Sequence, residues 1–357
     1  MADRHIIEET TEKKKDMGVK VSFAVAIYNV AAYVEKCVRS LYEQTLEDIE
    51  IILVDDCTPD NSMDIALKAL EDYPSRKSQV RVIRHEQNQG LPITRRDGIL
   101  GATGEYVIVI DGDDYVDRRM AALMYAKAAE TCADIVICDF YRVYDVNNDR
   151  QYIDTQVPDG VIGDGENVRW DLMNRRVPPF HVTKLVSRSI YKDNEMVWPQ
   201  GNLGEDTVFT TVTVYYAKCI AHVKEPLYYY RYNARSVSHL EVSEEVCLRN
   251  YNEFLQNFTI AWQFLDRKGV SEKYKRGEII YKIRIKNRLL PVVDKCKYRR
   301  LWWSTYSEIN KVILFGNEYY KPTYKEWMWV FAIMTGLYPR YRKRLRSRRF
   351  LPSKEWI

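Results

Sequence analysis

The sequence lacks the glycine motifs by which two large classes of nucleotide-binding enzymes hold phosphates. Its 15 glycines form no G-x-G-x-x-G after the first predicted strand, where the residues run from Tyr28 to Ala32. A dinucleotide-dependent dehydrogenase is therefore disfavoured, because its pyrophosphate needs those glycines for close backbone approach. The motif G-x-x-x-x-G-K-[ST] is also missing, which argues against a P-loop kinase or ATPase.

The chain is also poor in paired cysteines and in net charge. None of its seven cysteines forms a C-x-x-C pair, their number is odd, and most lie in apolar patterns. This favours reduced thiols in a cytoplasmic protein over a disulfide framework or a zinc site. A net charge of only +4 gives no indication of a general polyanion binder.

Aromatic residues, by contrast, are abundant. The chain has 27 tyrosines and 8 tryptophans in 357 residues. Such rings often line carbohydrate and nucleotide sites, because a flat apolar face stacks on sugar C–H groups or on a base. Packing in the core or on the surface is the alternative for most of them.

Short apolar strands alternate with helical patterns from Val21 to about Cys138. Predicted strands cover Val21–Ile27, Ile49–Val54, Val80–Ile83 and Tyr106–Ile110, with helical spacing between them. This alternation predicts a mostly parallel sheet with helices on both faces. Ligands of such sheets bind beyond the carboxyl ends of the strands.

Acidic clusters follow two of these strands. Asp55 and Asp56 come after the second, and Asp111-Gly112-Asp113-Asp114 comes after the fourth. Carboxylates placed in this way can hold Mg²⁺ or Mn²⁺ together with substrate phosphates, and Gly112 leaves room for a ligand. A turn with capping aspartates is the structural alternative for both clusters.

Five motifs, in this order, resemble those of family 2 glycosyltransferases. They are V-S-F-A-V-A-I-Y-N from Val21, V-D-D-C-T-P-D-N-S from Val54, N-Q-G-L-P-I-T-R-R-D-G from Asn88, A-T-G-E-Y-V-I-V-I-D-G-D-D from Ala102 and G-E-D-T-V-F from Gly204. The ordered set covers about Val21 to Tyr232 and is closest before Arg142. The resemblance implies an α/β GT-A fold, which is Rossmann-like, with a mostly parallel sheet and flanking helices.

With the helical pattern that begins near Val242, the resemblance divides the chain into four parts. A mobile N-terminal extension is expected over residues 1–20. The nucleotide-sugar-binding half of the GT-A domain spans 21–145, and the acceptor-binding half spans 146–241. A mainly helical C-terminal region with an apolar and basic tail covers 242–357.

The resemblance also implies roles for individual residues. Asp206 of the E-D pair is expected to be the catalytic base, with Glu205 beside it on the acceptor side. Asp113 is expected to bind Mn²⁺ or Mg²⁺, while Asp111 contacts the ribose or completes the metal shell. The donor nucleotide is expected to contact four further residues: Ala26, Tyr28, Asp56 and Arg95.

The implied activity is metal-dependent transfer of a sugar, with inversion, from a nucleoside-diphosphate donor to a hydroxyl group. A UDP-linked donor and a glycan or lipid-linked acceptor in surface polysaccharide synthesis are expected. Cys57 and Arg96 depart from the usual family residues, and these departures leave the nucleobase of the donor open. The competing hypotheses are a non-catalytic nucleotide- or carbohydrate-binding protein and a nucleotidyltransferase.

Three basic residues outside these motifs have less definite assignments. His239 is considered as a further metal ligand or diphosphate contact, with a surface loop as the alternative. Lys184 is predicted to be a surface lysine. His181 has no predicted partner, and a place in the core or on the surface is favoured over catalysis.

The C-terminal region combines an apolar segment, Trp327 to Tyr338, with a basic run from Arg340 to Arg349. The segment is shorter than the roughly 20 residues that span a bilayer. It is compatible with an interfacial helix on an anionic membrane surface and with a helix packed on the catalytic domain. No nucleic-acid-binding module accompanies the arginines, so a nucleic-acid partner is not expected.

Overall fold

The computed structural model describes most of the catalytic region and most of the C-terminal helices. The residues it describes are 7–10, 18–144, 149–155, 160–161, 180–232, 243–293, 295–335 and 337. His239 and the basic run 340–349 therefore lie outside the described residues.

The described strands join into one 11-stranded mixed sheet. Its order is β1-β4-β3-β2-β5-β10-β7-β11-β6, with β8 paired to β7 and β9 to β11. The strands are β1 Ile7–Thr10, β2 Val21–Ile27, β3 Ile49–Asp55, β4 Val80–Arg84, β5 Tyr106–Asp111, β6 Tyr115–Val116, β7 Ile135–Tyr144, β8 Asp149–Ile153, β9 Gly160–Val161, β10 Lys184–Ser187 and β11 Ile220–Tyr232.

Helices cover both faces of the sheet and form the C-terminal region. The first half contributes α1 Val34–Tyr42, α2 Ser62–Leu70, α3 Leu91–Gly101, α4 Met120–Thr131, α5 Arg188–Lys192 and α6 Glu205–Tyr216. The C-terminal region contributes α7 Glu244–Arg267, α8 Lys275–Asn287, α9 Cys296–Ser304, α10 Ile309–Phe315 and α11 Tyr324–Met334. Among the described helices, none combines the length and apolar character needed to cross a membrane.

The central strands are buried on both faces, which explains why their sequences are largely apolar. Every residue of β2 and β3 is buried. Successive side chains point to opposite faces, so Val25 joins the core shared with α1, α2 and α4, whereas Ala24 joins the core shared with α3 and α6. The second core continues into α7 through Phe264, which fixes the helical region against the catalytic sheet.

Two features add to or correct the sequence predictions. Within the predicted N-terminal extension over 1–20, Ile7–Thr10 pairs antiparallel with β4, and the mobility of the extension stays a prediction. Lys184 was assigned to the surface, but it opens β10, which lies between β5 and β7 and leaves the residue only 1% exposed. The Lys184 ammonium donates to the carbonyl of Phe180, which explains how a charged group is accommodated there.

Candidate active site

The carboxyl ends of three neighbouring strands bring the predicted acids to one edge of the sheet. Ala26 on β2 lies opposite Asp111 on β5, and Ile27 lies opposite Asp55 on β3. Asp56 follows directly and donates its N–H to the carbonyl of Ile27 at 3.1 Å. The order β3-β2-β5 thus unites two clusters that are more than fifty residues apart in sequence.

Arg95 is the centre of the candidate site. It projects from α3, is 3% exposed, and its Nη2 donates to both carboxylate oxygens of Asp111 at 2.7 and 3.0 Å. Its Nη1 lies 3.1 Å from Glu205 and 3.3 Å from Asp206. A buried guanidinium therefore links the D-x-D segment to the first turn of α6, and we call these four residues the arginine cluster.

Charge in the arginine cluster is unbalanced, because one buried guanidinium faces three carboxyl groups, whose side chains are 25% (Asp111), 10% (Glu205) and 23% (Asp206) exposed. Burial and the charge of Asp206 raise the pKa of Glu205 to about 8, although Arg95 opposes the shift. Burial also raises the pKa of Asp206. Burial thus favours a proton on this pair of neighbouring carboxyl groups, both of which accept hydrogen bonds from Arg95.

Asp206 is held so that one side of its carboxylate faces solvent. Its Oδ1 accepts the N–H of His181 at 3.2 Å, and its side chain is 23% exposed, compared with 10% for Glu205. Gly204 precedes α6 with φ +79°, and a Cβ at that position would lie 2.8 Å from the ring of Phe254. Glycine therefore permits the turn that presents the two acids at the helix N-terminus, where negative charge is favoured.

Of the acidic residues in the turn after β5, Asp113 and Asp114 have different environments. Gly112 donates to the carbonyl of Ala26 at 3.0 Å, and a Cβ on Gly112 would lie 2.7 Å from that oxygen. Asp114 is fully buried and accepts bonds from the Tyr228 hydroxyl and the Arg231 N–H, both at 2.6 Å. Asp114 thus ties this turn to β11 and is not available to a ligand.

Asp113 has a different environment. Its side chain has no hydrogen-bond donor on any other described residue, and the Arg231 Nε instead donates to its backbone carbonyl at 2.9 Å. Burial, followed by the charge of Asp111, raises the pKa of Asp113 to about 6. A half-buried carboxyl group that forms no ion pair with a described residue fits a site for a divalent cation, the role expected from the sequence.

The nucleotide side of the site contains a contact that the sequence did not reveal. His85 Nδ1 lies 2.8 Å from Asp56 Oδ1, and its Nε2 lies 3.3 Å from Asp97. Asp56 also accepts the N–H groups of Gln89 at 2.7 Å and Gly90 at 2.9 Å. Asp56 therefore stabilises the turn at the start of α3, the helix that carries Arg95. The contact of Asp56 with the nucleobase stays a prediction.

His85 gives the fold a pH dependence that can be measured. Its hydrogen bonds to Asp56 and Asp97 raise the pKa of His85 from 6.5 to about 9. The imidazolium therefore stabilises the fold fully below pH 6.5 and loses this contribution as the pH rises through 9, by up to about 3 kcal/mol. Urea unfolding from pH 6 to 9.5 should show a steeper loss of stability in the wild type than in His85→Gln. Equal slopes would contradict the assignment.

The other predicted donor contacts are placed at the same edge with different exposure. Ala26 is 9% exposed and Tyr28, just beyond β2, is 45% exposed, which leaves its ring accessible to a base. His181 is buried, pairs its Nε2 with the Tyr191 hydroxyl at 2.9 Å, and has its pKa lowered well below 6.5 by burial and by Arg95. A neutral His181 therefore forms part of the wall behind Asp206 and takes the core position, one of the two that the sequence left open.

Comparison with known proteins identifies the family of this chain. The family model described as Glycosyl transferase family 2 matches residues 22–190. The uncharacterized glycosyltransferase EpsJ of Bacillus subtilis (strain 168) is 34% identical over 229 residues, or 62% of this chain and 63% of EpsJ. The chain thus matches less than two thirds of that relative's length. The glycosyltransferase GlyG of Streptococcus pneumoniae serotype 4 is 30% identical over 63% of this chain and 75% of GlyG.

Among solved structures, the S. aureus TarS fragment in complex with UDP-GlcNAc superposes with a TM-score of 0.57. The superposition covers 92% of this chain and 91% of the TarS fragment at 21% sequence identity. At that identity the likeness shows the fold, and it confirms the predicted α/β sheet with flanking helices and an added helical region. The similarity to GlyG, together with the family match, establishes that the chain belongs to the family 2 glycosyltransferases.

Proposed function

We propose that this protein is an inverting glycosyltransferase that uses a nucleoside-diphosphate sugar, most simply a UDP-sugar, as donor. The observation that carries the proposal is the arginine cluster beside Asp113 at the carboxyl edge of β2, β3 and β5. A candidate base, a candidate cation ligand and the expected nucleotide contacts meet there. Family membership and the UDP-GlcNAc named for the TarS complex support this donor class.

In the proposed reaction, Asp206 removes the proton from an acceptor hydroxyl. The hydroxyl oxygen then attacks the anomeric carbon from the face opposite the diphosphate, and the configuration inverts. Arg95 keeps the Asp206 carboxylate oriented, and the partial exposure of Asp206 gives the acceptor access to it. Glu205 lies beside Asp206 on the acceptor side, as the sequence predicts.

Asp113 is the residue that we assign to Mn²⁺ or Mg²⁺, with Asp111 next to it. Mg²⁺ in proteins is typically held by one or two carboxylates plus substrate phosphates, a pattern that Asp113 and a donor diphosphate would complete. A bound cation would stabilise the charge of the departing nucleoside diphosphate. The position of Asp111 against Arg95 favours a supporting contact for this residue.

The two competing hypotheses fit the site less well. A non-catalytic binding protein has no need for Asp206 to be oriented by Arg95 and by a backbone N–H while partly open to solvent. A nucleotidyltransferase would use the cation to release pyrophosphate, and it likewise leaves the E-D pair without a role. The acceptor that fits family membership is a glycan or a lipid-linked sugar in surface polysaccharide synthesis.

Removing the carboxylate of Asp113 should weaken cation-dependent binding of the donor nucleotide. In calorimetric titrations of UDP with Mn²⁺ present, Asp113→Asn should bind at least about tenfold more weakly than the wild type. Without Mn²⁺ the two proteins should differ little. Asp193→Asn, at an exposed site after α5, is the matched control. An unchanged UDP affinity of Asp113→Asn in Mn²⁺ would refute the assignment.

The exposed face of α11 supports the further proposal that the protein associates peripherally with a membrane. Val330 and Ile333 are buried, whereas Trp327, Phe331 and Met334 share a face and are 42%, 46% and 54% exposed. The helix therefore packs on the protein through one side and exposes apolar side chains on the other. A helix packed on the catalytic domain and an interfacial helix on a membrane are thus compatible interpretations of this segment. The basic run that follows in sequence would favour an anionic leaflet.

Vesicle sedimentation tests this membrane proposal. The full chain should sediment with anionic phospholipid vesicles, and replacing Trp327 and Phe331 by serine should weaken binding by about tenfold or more, because each ring buries apolar surface. Tyr319→Ser, at a position that is also 43% exposed, should leave sedimentation unchanged. Equal sedimentation of all three proteins would rule out α11 as the anchor.

A further inference from the structure

A row of four tyrosines crosses one end of the sheet. Tyr115 on β6 lies opposite Tyr229 on β11, Tyr229 lies opposite Tyr141 on β7, and Tyr141 lies opposite Tyr152 on β8. Directly opposed residues share a face, so the four rings form one line across four strands, about 15 Å long. We call this line the tyrosine row.

Ring stacking fixes the tyrosine row, and three of its four members are partly exposed. The rings of Tyr115 and Tyr229 are 4.6 Å apart and nearly parallel, and those of Tyr229 and Tyr141 are 5.5 Å apart. Tyr115 is buried at 7% exposure, Tyr141 and Tyr229 are half-buried, and Tyr152 is 44% exposed. Within the described part of the chain, the hydroxyls of Tyr115, Tyr141 and Tyr229 have no hydrogen-bond partner, whereas Tyr152 donates to Asp139. Partly covered hydroxyls without partners favour a ligand rich in hydroxyl groups.

Three cations lie beside the row, and two of them, Lys36 and Arg150, have no carboxylate partner among the described residues. The ammonium of Lys36 lies 3.7 Å from the centroid of Tyr115, and the guanidinium of Arg150 lies 5.3 Å from that of Tyr229. Neither cation forms an ion pair with a described acidic residue. Arg231 lies over the rings of Tyr33 and Tyr115 at 4.8 and 5.7 Å. This positive charge favours a ligand that carries anionic groups.

A groove of about 520 Å³ between α1 and β6 extends this surface, and its walls include Tyr33, Lys36 and Tyr115. Two acids also line the groove, but both already have partners: Glu35 binds Arg39 at 2.9 Å, and Glu43 accepts the hydroxyl of Tyr73 at 2.6 Å. The groove thus presents the Lys36 ammonium, which has no acidic partner among the described residues, beside the aromatic surface of Tyr115.

Arg231 connects this surface to the candidate active site. Its guanidinium lies over Tyr115, while its Nε donates to the backbone carbonyl of Asp113 at 2.9 Å. A long ligand that rests on the tyrosine row can therefore reach the acidic turn after β5. A donor nucleotide is too short to need such a row, whereas a polymeric acceptor would use it.

We propose that the tyrosine row and its groove bind the acceptor as an anionic glycan, that is, a sugar chain bearing carboxylate or phosphate groups. This inference rests on the proposed function and specifies the acceptor. The phenol hydroxyls bind sugar hydroxyls, and Lys36, Arg150 and Arg231 bind the anionic groups. The bound sugar chain is thereby directed toward Asp113 and Asp206.

Retention of the full-length protein on a printed array of carboxylated, phosphorylated and neutral glycans tests the proposal. The wild type should be retained on anionic glycans in preference to neutral ones. The double variant Lys36→Glu/Arg150→Glu should be retained at least about tenfold less, because two charge-assisted contacts are reversed. Tyr229→Phe, which preserves the ring stack, should be retained about fivefold less.

Matched controls carry the same changes elsewhere on the surface. Lys311→Glu/Arg249→Glu reverses two exposed charges on α10 and α7, and Tyr324→Phe removes a hydroxyl on α11. Both should be retained like the wild type. Retention only on neutral glycans, no retention on the array, or equal retention of Lys36→Glu/Arg150→Glu and its control would overturn the proposal. Loss of binding to anionic vesicles by that variant, without any glycan retention, would also overturn it.

UDP titration in Mn²⁺ separates this inference from the proposed function. The Lys36→Glu/Arg150→Glu variant should bind UDP as the wild type does, because neither residue belongs to the nucleotide site. If the wild type binds UDP but is not retained on glycans, the proposed acceptor surface is wrong and the proposed donor class stands. If the wild type is retained on glycans in a charge-dependent way but binds no UDP, the acceptor surface stands and the proposed donor class is wrong.

Discussion

Asp206→Asn is expected to lower the turnover number for sugar transfer by about 10³-fold, while the Michaelis constant for the donor changes little. The amide keeps the size of the carboxylate but cannot accept the hydroxyl proton, and a positioned base typically contributes about 10²–10⁴-fold. Steady-state rates of nucleoside diphosphate release at saturating acceptor measure the effect. The variant should fold normally, since it relieves part of the excess negative charge around Arg95.

Two further variants place this result in context. Asp193→Asn makes the same chemical change on the surface and should transfer at the wild-type rate. Glu205→Gln should lose less activity than Asp206→Asn, because burial raises the pKa of Glu205 to about 8 and leaves it largely protonated near neutral pH. Retention of more than about a tenth of wild-type turnover by Asp206→Asn would contradict its role as base.

Arg95→Met is expected to have the largest effect on stability. Methionine fills part of the space, but Asp111, Glu205 and Asp206 would then be buried without their shared cation. Breaking a buried ion pair in this way typically costs about 3–5 kcal/mol. Sugar transfer should also be lost, because Asp206 loses the group that orients it. Urea unfolding at neutral pH, with Arg249→Met on the exposed face of α7 as control, measures the change.

The pH dependence of this loss gives a second, independent check. Without Arg95, which opposes these shifts, burial and mutual repulsion raise the pKa values of Glu205 and Asp206 further above those of the unfolded chain. The variant should therefore be closest to the wild type near pH 4 and fall further behind as the pH rises from about 4 to 8. A stability difference that is constant with pH, or that shrinks toward pH 8, would show that Arg95 does not serve to hold these carboxylates.

Much of the catalytic half was predictable from local sequence pattern. The apolar runs of β2 to β5 are bounded by polar turns and separated by helical spacing, so their order and their shared carboxyl edge follow from the rules for parallel sheets. The position of Asp111 beside Ala26 follows from the same reasoning.

Contacts between distant segments were not predictable in this way. Arg95 meets Glu205 across 110 residues of sequence, and only the family resemblance had brought these motifs to one site. No local pattern indicates that the short run Lys184–Ser187 enters the sheet antiparallel between β5 and β7, and for this reason the surface assignment of Lys184 was wrong. His85 was missed because its two carboxylate partners lie on other elements.

The tyrosine row was likewise not predictable from the local sequence pattern. The run Leu227 to Tyr232 predicts a strand, and β11 confirms it, although the strand begins earlier, at Ile220. That Tyr229 lies between Tyr115 and Tyr141 depends on the register of three strands. Register is set by tertiary packing and turn geometry, neither of which can be read from composition.

The chemical identity of the products tests the central proposal most directly. The wild-type protein, Mn²⁺ and a panel of nucleoside-diphosphate sugars, incubated with anionic and neutral glycans, should yield a nucleoside diphosphate and a glycan extended by one sugar. The anomeric configuration of that sugar, determined by NMR, should be opposite to that of the donor. Release of pyrophosphate would contradict the account and indicate a nucleotidyltransferase. Release of no product from any donor, by a protein that still binds UDP, would contradict it in favour of a non-catalytic binding protein.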